Sequence, residues 1–307
     1  MIDLVALQSL LALDAQGTVG AAAATLGYTP SAVSQQIKRL EAQAGVPLTE
    51  RVGRRVVLTE QARLLVAEGR DVLARVESLE SALLAHGGEI AGSLRLAAFS
   101  TGVRGLVAPL AADLRCSAPE LALTVTEVDP AEAVGLVASG QVDLALVHSW
   151  VGVGLPVPSR VRDEHLGLDV ADLLVHRDHP LAARQRVAAA DLQDETWAST
   201  HPGTICHDWF QVMFAGLRLP AVSFWSFEFE SQVRLVQEGV AVALVPRLGR
   251  GPLPEEVVAV PVVDPVPTRT VRMLWRRTMD DSPAIRHLRE QLVRLVRHRG
   301  SLSNDPL

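Results

Sequence analysis

Four polar side chains at helical spacing, Ser31, Ser34, Gln35 and Lys38, are the first group in the chain that could carry out specific recognition. Residues three and four apart share one face of an α-helix. These four therefore form a wholly polar stripe of short hydrogen-bonding groups, unlike the Glu and Lys of an ordinary solvated helix. A DNA major groove admits an α-helix and offers donors and acceptors that such side chains reach. The Gln35 amide both donates and accepts, so it suits a base edge. Ser31 and Ser34 suit bases or phosphates, and Lys38 suits the backbone. Thr29 supplies a capping hydroxyl, and Pro30 follows at the first helical position, where a missing N–H is no loss. Thr29 and the helix N-terminus can together hold a phosphate. Arg51, Arg54 and Arg55 come next around Gly53 and suit phosphate or the negative potential of a minor groove. An ion pair with Glu41 or Glu50 is an equal reading for Arg51.

A second set lies further on. Phe99-Ser100-Thr101-Gly102 falls where an expected strand gives way to a helix, and hydroxyls with backbone N–H groups there form an anion site. Thr200, His201 and Thr204 repeat the arrangement before a later helix, and Val147, His148 and Phe227 would complete a cleft. Plain helix capping also accounts for Ser100 and Thr101, and an ordinary imidazole accounts for His148 and His201. Eight of the 12 aromatic residues fall between Trp197 and Phe229. Trp225, Phe227 and Phe229 alternate on an expected strand, so most of the eight are expected in a core and a minority along the cleft. Cys206, beside His207, could be a thiol switch with its pKa lowered by a helix N-terminus. No second thiol is close in sequence, since Cys116 is the only other cysteine. His176 and His179 lack further metal ligands. No Gly-x-Ser-x-Gly or Walker-type loop is present. The expectation is no catalytic residues, no metal and no cofactor.

The elements that must position these groups can be read from caps and periodicity. Asp3 caps a helix with Leu4, Leu7 and Leu11 at helical spacing, and Gly17 ends it. Thr18 caps a short helix from Val19 to Leu26, and Gly27 stops it. The third helix, from Pro30 to about Gln43, sets Val33, Ile37, Leu40 and Ala44 against the polar stripe. An Arg-tipped hairpin follows, which makes residues 1–58 a winged helix-turn-helix. Thr59 caps a long helix to about His86. Ala62, Gly69, Val76 and Leu83 interleave there with Leu65, Val72 and Leu79 in a heptad pattern that argues for pairing. Leu65, Val72, Val76, Leu79 and Leu83 are the expected dimerisation residues of a linker over 59–88, and Gly87-Gly88 is the expected hinge. From 89 to 307 strands and helices alternate, as in α/β units with parallel strands. Lobe I is expected over 93–163 and 268–298 and lobe II over 164–267, with a ligand crevice between them.

A composition of 48% hydrophobic and 21% charged residues argues against disorder. The longest uncharged stretch, Ala15 to Ile37, is broken by glycines and Pro30, so no transmembrane helix is expected. Met1-Ile2-Asp3 shows no basic patch before an apolar run, so no secretory signal is expected, and two cysteines suit a reducing cytoplasm. The formal net charge is −6, yet residues 30–58 carry five basic groups against two acidic, a local +3 within an otherwise acidic chain.

The stretch from Ala22 to Glu41 (AAATLGYTPSAVSQQIKRLE) resembles LysR-type transcriptional regulators. So do Gly45 to Leu48, Glu50-Arg51, Gly53-Arg54-Arg55 and Leu58-Thr59, and the resemblance extends over nearly the whole chain. The chain departs from the family at Pro30, where many members have Gln, and at Thr49, where Phe is usual and packing under the wing would thin. It also has Gln61-Ala62 in place of Ala-Gly. The resemblance implies a sequence-specific regulator that binds double-stranded DNA and assembles as a homodimer or homotetramer. It also implies a two-lobed, periplasmic-binding-protein-like effector domain. An effector, expected to bear a carboxylate, would sit at Ser100 and Thr101, and RNA polymerase is a further implied partner. The competing class, a two-lobed solute-binding protein or enzyme, leaves the polar-faced helix, wing and heptad helix without a role.

Overall fold

Three successive helices start and stop where local chemistry dictates. The structure, a computed structural model, describes residues 1–53, 55–87, 90–299 and 302–303. Arg54 and Gly88 lie outside the described residues, as does the Arg55 side chain. The chain divides into an N-terminal unit built on residues 1–89 and a second that holds most of the remainder.

In the first unit, α1 (Leu4–Gln16) begins where the Asp3 carboxylate accepts from the backbone N–H groups of Val5 and Ala6. Thr18 caps α2 (Val19–Leu26) and Thr29 caps α3 (Pro30–Ala44), each through its hydroxyl. All three helices end at a glycine in the left-handed conformation, which side chains disfavour. β1 (Thr49–Val52) and β2 (Arg55–Leu58) form an antiparallel hairpin with Thr49 opposite Leu58. The 28-residue α4 (Glu60–Gly87) follows. Leu10, Leu40, Leu48, Ala62 and Val66 form one core cluster, and Leu13, Ala22, Val33 and Ile37 form another.

The second unit opens with β3 (Gly92–Ala98) and α5, a single turn (Ser100–Gly102). A π turn over Val103–Val107 leads into α6 (Ala108–Ser117). Periodicity alone predicts one continuous helix here. Pro109 cannot donate to the preceding turn, and the wide π turn lies directly before it. β4 (Leu121–Glu127), α7 (Pro130–Ser139) and β5 (Leu144–Trp150) complete the first lobe. β6 (Val161–His176) is a 16-residue strand. The second lobe adds β7 (Val187–Ala188), β8 (Trp197–Ser199), α8 (Ile205–Met213), β9 (Val222–Trp225), α9 (Phe229–Gln237), β10 (Val242–Pro246) and β11 (Val257–Val263). β12 (Thr268–Arg276) and α10 (Pro283–Arg299) close the chain.

Strand order is β4-β3-β5-β12-β6-β10-β8-β9, with β11 also paired to β6. The expected parallel pairing occurs within each lobe: β3 with β4 and β5, and β8 with β9 and β10. β6 and β12 run antiparallel to their neighbours and carry the chain between lobes. The expected strand through Phe227 stops at Trp225. There the Ser226 hydroxyl accepts from the Glu228 N–H at 3.1 Å, a local turn that competes with strand pairing, and Phe229 opens α9. Trp225, Phe227 and Phe229 therefore do not share one strand face. No helix among the described residues is long and apolar enough to cross a membrane.

Candidate functional site

On α3 the division into faces holds except at Ala44, expected on the apolar stripe but exposed in the last turn. Val33, Ile37 and Leu40 are buried, while Ser31, Gln35 and Lys38 are exposed. The Ser34 hydroxyl donates back to the Pro30 carbonyl at 2.9 Å, so only its lone pairs remain for a partner. Thr29 and Ser31 hydroxyls stand 3.0 Å apart at the helix start. Glu41 Oε1 accepts from the N–H groups of Leu48 and Thr49, both at 2.9 Å, and from the Thr49 hydroxyl at 3.0 Å. Thr49 thus ties the wing to α3 by hydrogen bonds in place of aromatic packing. Glu41 is committed to that tie, and the exposed Arg51 makes no ion pair among the described residues.

The heptad residues of α4 divide in two. Ala62 and Val66 are buried in the N-terminal core, and Leu65 packs partly against it. Val76 is half-buried, whereas Val72, Leu79 and Leu83 stand 48%, 62% and 66% exposed. Leu65 thus serves its own unit as well as any pairing.

The floor of the interlobe cleft is built on a residue that sequence reasoning does not pick out. Arg269, at the start of β12, is 1% exposed and pairs with the equally buried Asp169 directly across on β6, Nε to Oδ2 at 2.8 Å. Its second amino group donates to Thr101 Oγ1 at 2.5 Å, and its guanidinium lies over the Phe99 and Trp150 rings at 5.0 and 5.8 Å. Thr101, expected to meet an effector carboxylate, instead holds an internal arginine. Ser100 is half-buried at the start of α5. His148 is buried edge-on against Phe99 with centroids 4.6 Å apart. Burial, then the charges of Arg269 and Arg272, hold its imidazole well below the usual histidine range, so it is neutral. Its Nδ1 has no hydrogen-bond partner among the described residues. Val147 is a correction. It alternates to the other face of β5 and is fully buried with Val134, Val161 and Leu274, away from the cleft. The one sequence signal for Arg269 is an arginine at the head of an apolar strand, which periodicity alone cannot assign.

Across the cleft, Thr204 caps α8 by accepting from the His207 N–H, and its hydroxyl donates to the His201 carbonyl at 2.8 Å. Thr200 is buried 3.1 Å from it. Asp129, of the first lobe, takes backbone hydrogen bonds from Ala131 and from Ile205, the first residue of α8, and burial raises its pKa. Arg104 reaches Glu230 at 2.5 Å and the Gly249 carbonyl at 3.1 Å, a second link between lobes. A cavity of about 20 Å³, room for one water-sized molecule, is lined by Trp150, Thr200, Cys206, Trp209 and Gln232. Burial, which strips water from the thiolate, pushes the Cys206 thiol up to about 11, although the residue keeps some accessible surface. Phe227 is 65% exposed, and the His201 ring stacks on it with centroids 4.2 Å apart.

A winged helix-turn-helix with an exposed polar reading face, joined to a two-lobed α/β domain with a ligand crevice, defines a DNA-binding regulator with an effector domain. The chain belongs to the LysR family: residues 4–63 match the bacterial regulatory helix-turn-helix protein, lysR family, and residues 87–297 match the LysR substrate binding domain. It is 28% identical over 309 residues to the hydrogen peroxide-inducible genes activator of Dickeya chrysanthemi, covering 98% of this chain and 97% of that protein. A full-length OxyR variant from Pseudomonas aeruginosa shares the fold at a TM-score of 0.70 and 23% identity, over 97% of this chain and 95% of that one. CbnR complexed with its target DNA does so at 0.53 and 19%, over 97% and 99%. The protein is a LysR-type DNA-binding transcriptional regulator.

Proposed function

We propose that Gln35 reads a base, that Ser31, Ser34, Lys38 and Thr29 with Pro30 at the head of α3 fix the helix on the groove, and that Arg51 and the wing arginines Arg54 and Arg55 engage the backbone. The observation that carries this reading is the α3 surface, where Val33, Ile37 and Leu40 are turned into the core and the other side exposes Gln35 and Lys38. One such unit reads a half-site, and two are needed for an operator. The exposed Val72, Leu79 and Leu83, continued by Val76 and Leu65, supply the seam of a homodimer that can assemble further into a tetramer. The protein works in the cytoplasm and passes its output to RNA polymerase.

The effector enters between the lobes, against Ser100, Thr200, His201, Thr204 and Phe227, with Thr101 and His148 in the buried layer beneath it. A carboxylate suits it, because the N-terminus of α8 already attracts one, that of Asp129. An effector carboxylate would compete with Asp129 there, loosen one link between lobes and alter the spacing of the paired DNA-binding units. DNase footprinting on the protein's own upstream DNA tests the whole reading. A protected pair of half-sites that Gln35→Ala relaxes at one base is the expected result, and no protection at all would refute it.

A further inference from the structure

We infer that the effector carries a flat aromatic ring, which extends an open stack formed by His201 and Phe227 with Trp225 beside it. This deepens the effector reading above and rests on it. Aromatic residues are scarce, only 4% of the chain. Of the eight between Trp197 and Phe229, five (Trp197, Trp209, Phe210, Phe214 and Phe229) are buried and build the second lobe. Two are held out instead, Phe227 at 65% and Trp225 at 42% exposure. Exposed apolar groups that cluster mark binding surfaces more often than scattered ones do.

The rings lie close together. His201 lies 20° from parallel to Phe227 with centroids 4.2 Å apart, and Trp225 lies 6.2 Å from His201 at 37°. The offset parallel arrangement favours another planar π-system over a saturated one. The stack stands at the C-terminal ends of the parallel strands β8 and β9, where Ser199 and Trp225 are paired. That edge is where open α/β sheets take ligands. Two of the nearby hydroxyls are already engaged as donors, Ser226 to the Glu228 carbonyl and Thr204 to the His201 carbonyl. The ring faces are therefore the larger open surface on this side.

Isothermal titration calorimetry on the full chain, with naphthoate, decahydronaphthoate and indole as probes, separates the contributions. Naphthoate and its saturated counterpart share charge and outline, while indole is a ring without a carboxylate. The expected result is that naphthoate binds about tenfold tighter than decahydronaphthoate and that Phe227→Ala or His201→Ala each weaken it roughly 3- to 10-fold. Equal affinity for the two naphthoates, unaltered binding in Phe227→Ala, or no binding of either aromatic at millimolar concentration would overturn the proposal. So would a Phe227→Ala variant whose sedimentation mass drops, because the stack would then be a face between copies. If the wild-type chain also fails to bind its operator, the regulator reading falls as well; if it binds operator and no ring, only the ring proposal does.

Discussion

Arg269 and Asp169 face each other across β12 and β6 as an ion pair with both side chains 1% exposed. The second Asp169 oxygen accepts from the Leu248 N–H at 2.9 Å, and Arg269 also donates to Thr101. One buried pair thus joins both crossing strands to the first turn of α5 and to the loop after β10. Removing one partner from such a pair leaves an uncompensated buried charge, which costs about 3–5 kcal/mol. Asp169→Asn is expected to lose stability on that scale in urea denaturation, and the double variant Asp169→Leu with Arg269→Met to lose less. A single-variant loss within experimental error would show that the cleft floor does not depend on the pair.

The backbones of the two lobes touch where Gly249 meets α5. Gly249 has φ +69°, and a Cβ there would stand 2.4 Å from the Thr101 carbonyl oxygen and 3.1 Å from the Gly105 nitrogen. Neither neighbour is a flexible side-chain end, so relief requires the lobes to part. Overpacking of this kind costs about 1–3 kcal/mol, and strain at positive φ adds to it. Gly249→Ala is expected to lower Tm and to increase protease cutting between lobes, whereas Gly251→Ala, with open space around it, is expected to do neither.

The N-terminal unit is legible almost residue by residue because its helices are delimited by local chemistry: Asp3, Thr18 and Thr29 at the starts, Gly17, Gly27 and Gly45 at the ends. The cleft is legible only as a location. Thr101 does stand at a helix start, yet the partner that takes its hydroxyl, Arg269, is 168 residues away in sequence. No pattern within a window couples the two. Val147 is misplaced by sequence reasoning because a strand buried on both faces reads as a continuous apolar run and does not reveal which side faces the ligand. Alternation assigns Phe227 both to the cleft and to a strand; its exposure follows from the Ser226 turn, which alternation cannot foresee.

Gln35 and Lys38 separate base reading from backbone contact. Gln35→Ala is expected to cost about 1–3 kcal/mol at one base pair and to leave other sequences unaffected. Lys38→Ala and Arg51→Ala are expected to weaken all sequences alike and to lower the salt slope by roughly 0.9 for each phosphate no longer neutralised. Gel shifts over a salt series on operator and scrambled DNA measure both. A Lys38→Ala protein with the wild-type slope would remove that residue from the backbone set.

Two carboxylates set the acid limb of stability. Burial pushes Asp143 and Asp172 up, but Arg95 and Arg276 around the first, and Arg247 and Arg250 around the second, outweigh it and hold both below 3.8. A carboxylate depressed in the folded state binds protons more readily when unfolded, so its contribution is present above 3.8 and is lost as pH falls below that value. Asp172→Asn is expected to be less stable at neutral pH and to show a flatter decline on acidification. Urea midpoints across an acid pH series check this, and an unchanged acid slope would assign the decline to other groups.

Cys206 titrates in the opposite direction. Its folded value lies near 11 against 9.0 for a free thiol, with burial the largest cause. The unfolded chain therefore ionises first, so this residue lowers stability as pH rises from about 9 towards 11 and contributes no pH dependence below that window. The same shift cuts the thiolate fraction at mildly alkaline pH roughly 100-fold, and the thiolate is the reactive form. Cys116, which is exposed, is expected to react first with iodoacetamide or hydrogen peroxide. Cys206 is expected to lag until the protein is unfolded. Mass spectrometry of each cysteine peptide during a timed labelling course measures the order. Cys206 reacting ahead of Cys116 in the folded protein would mean that the wall of the cavity opens on that timescale, so that the thiol is solvated and its burial no longer governs its reactivity.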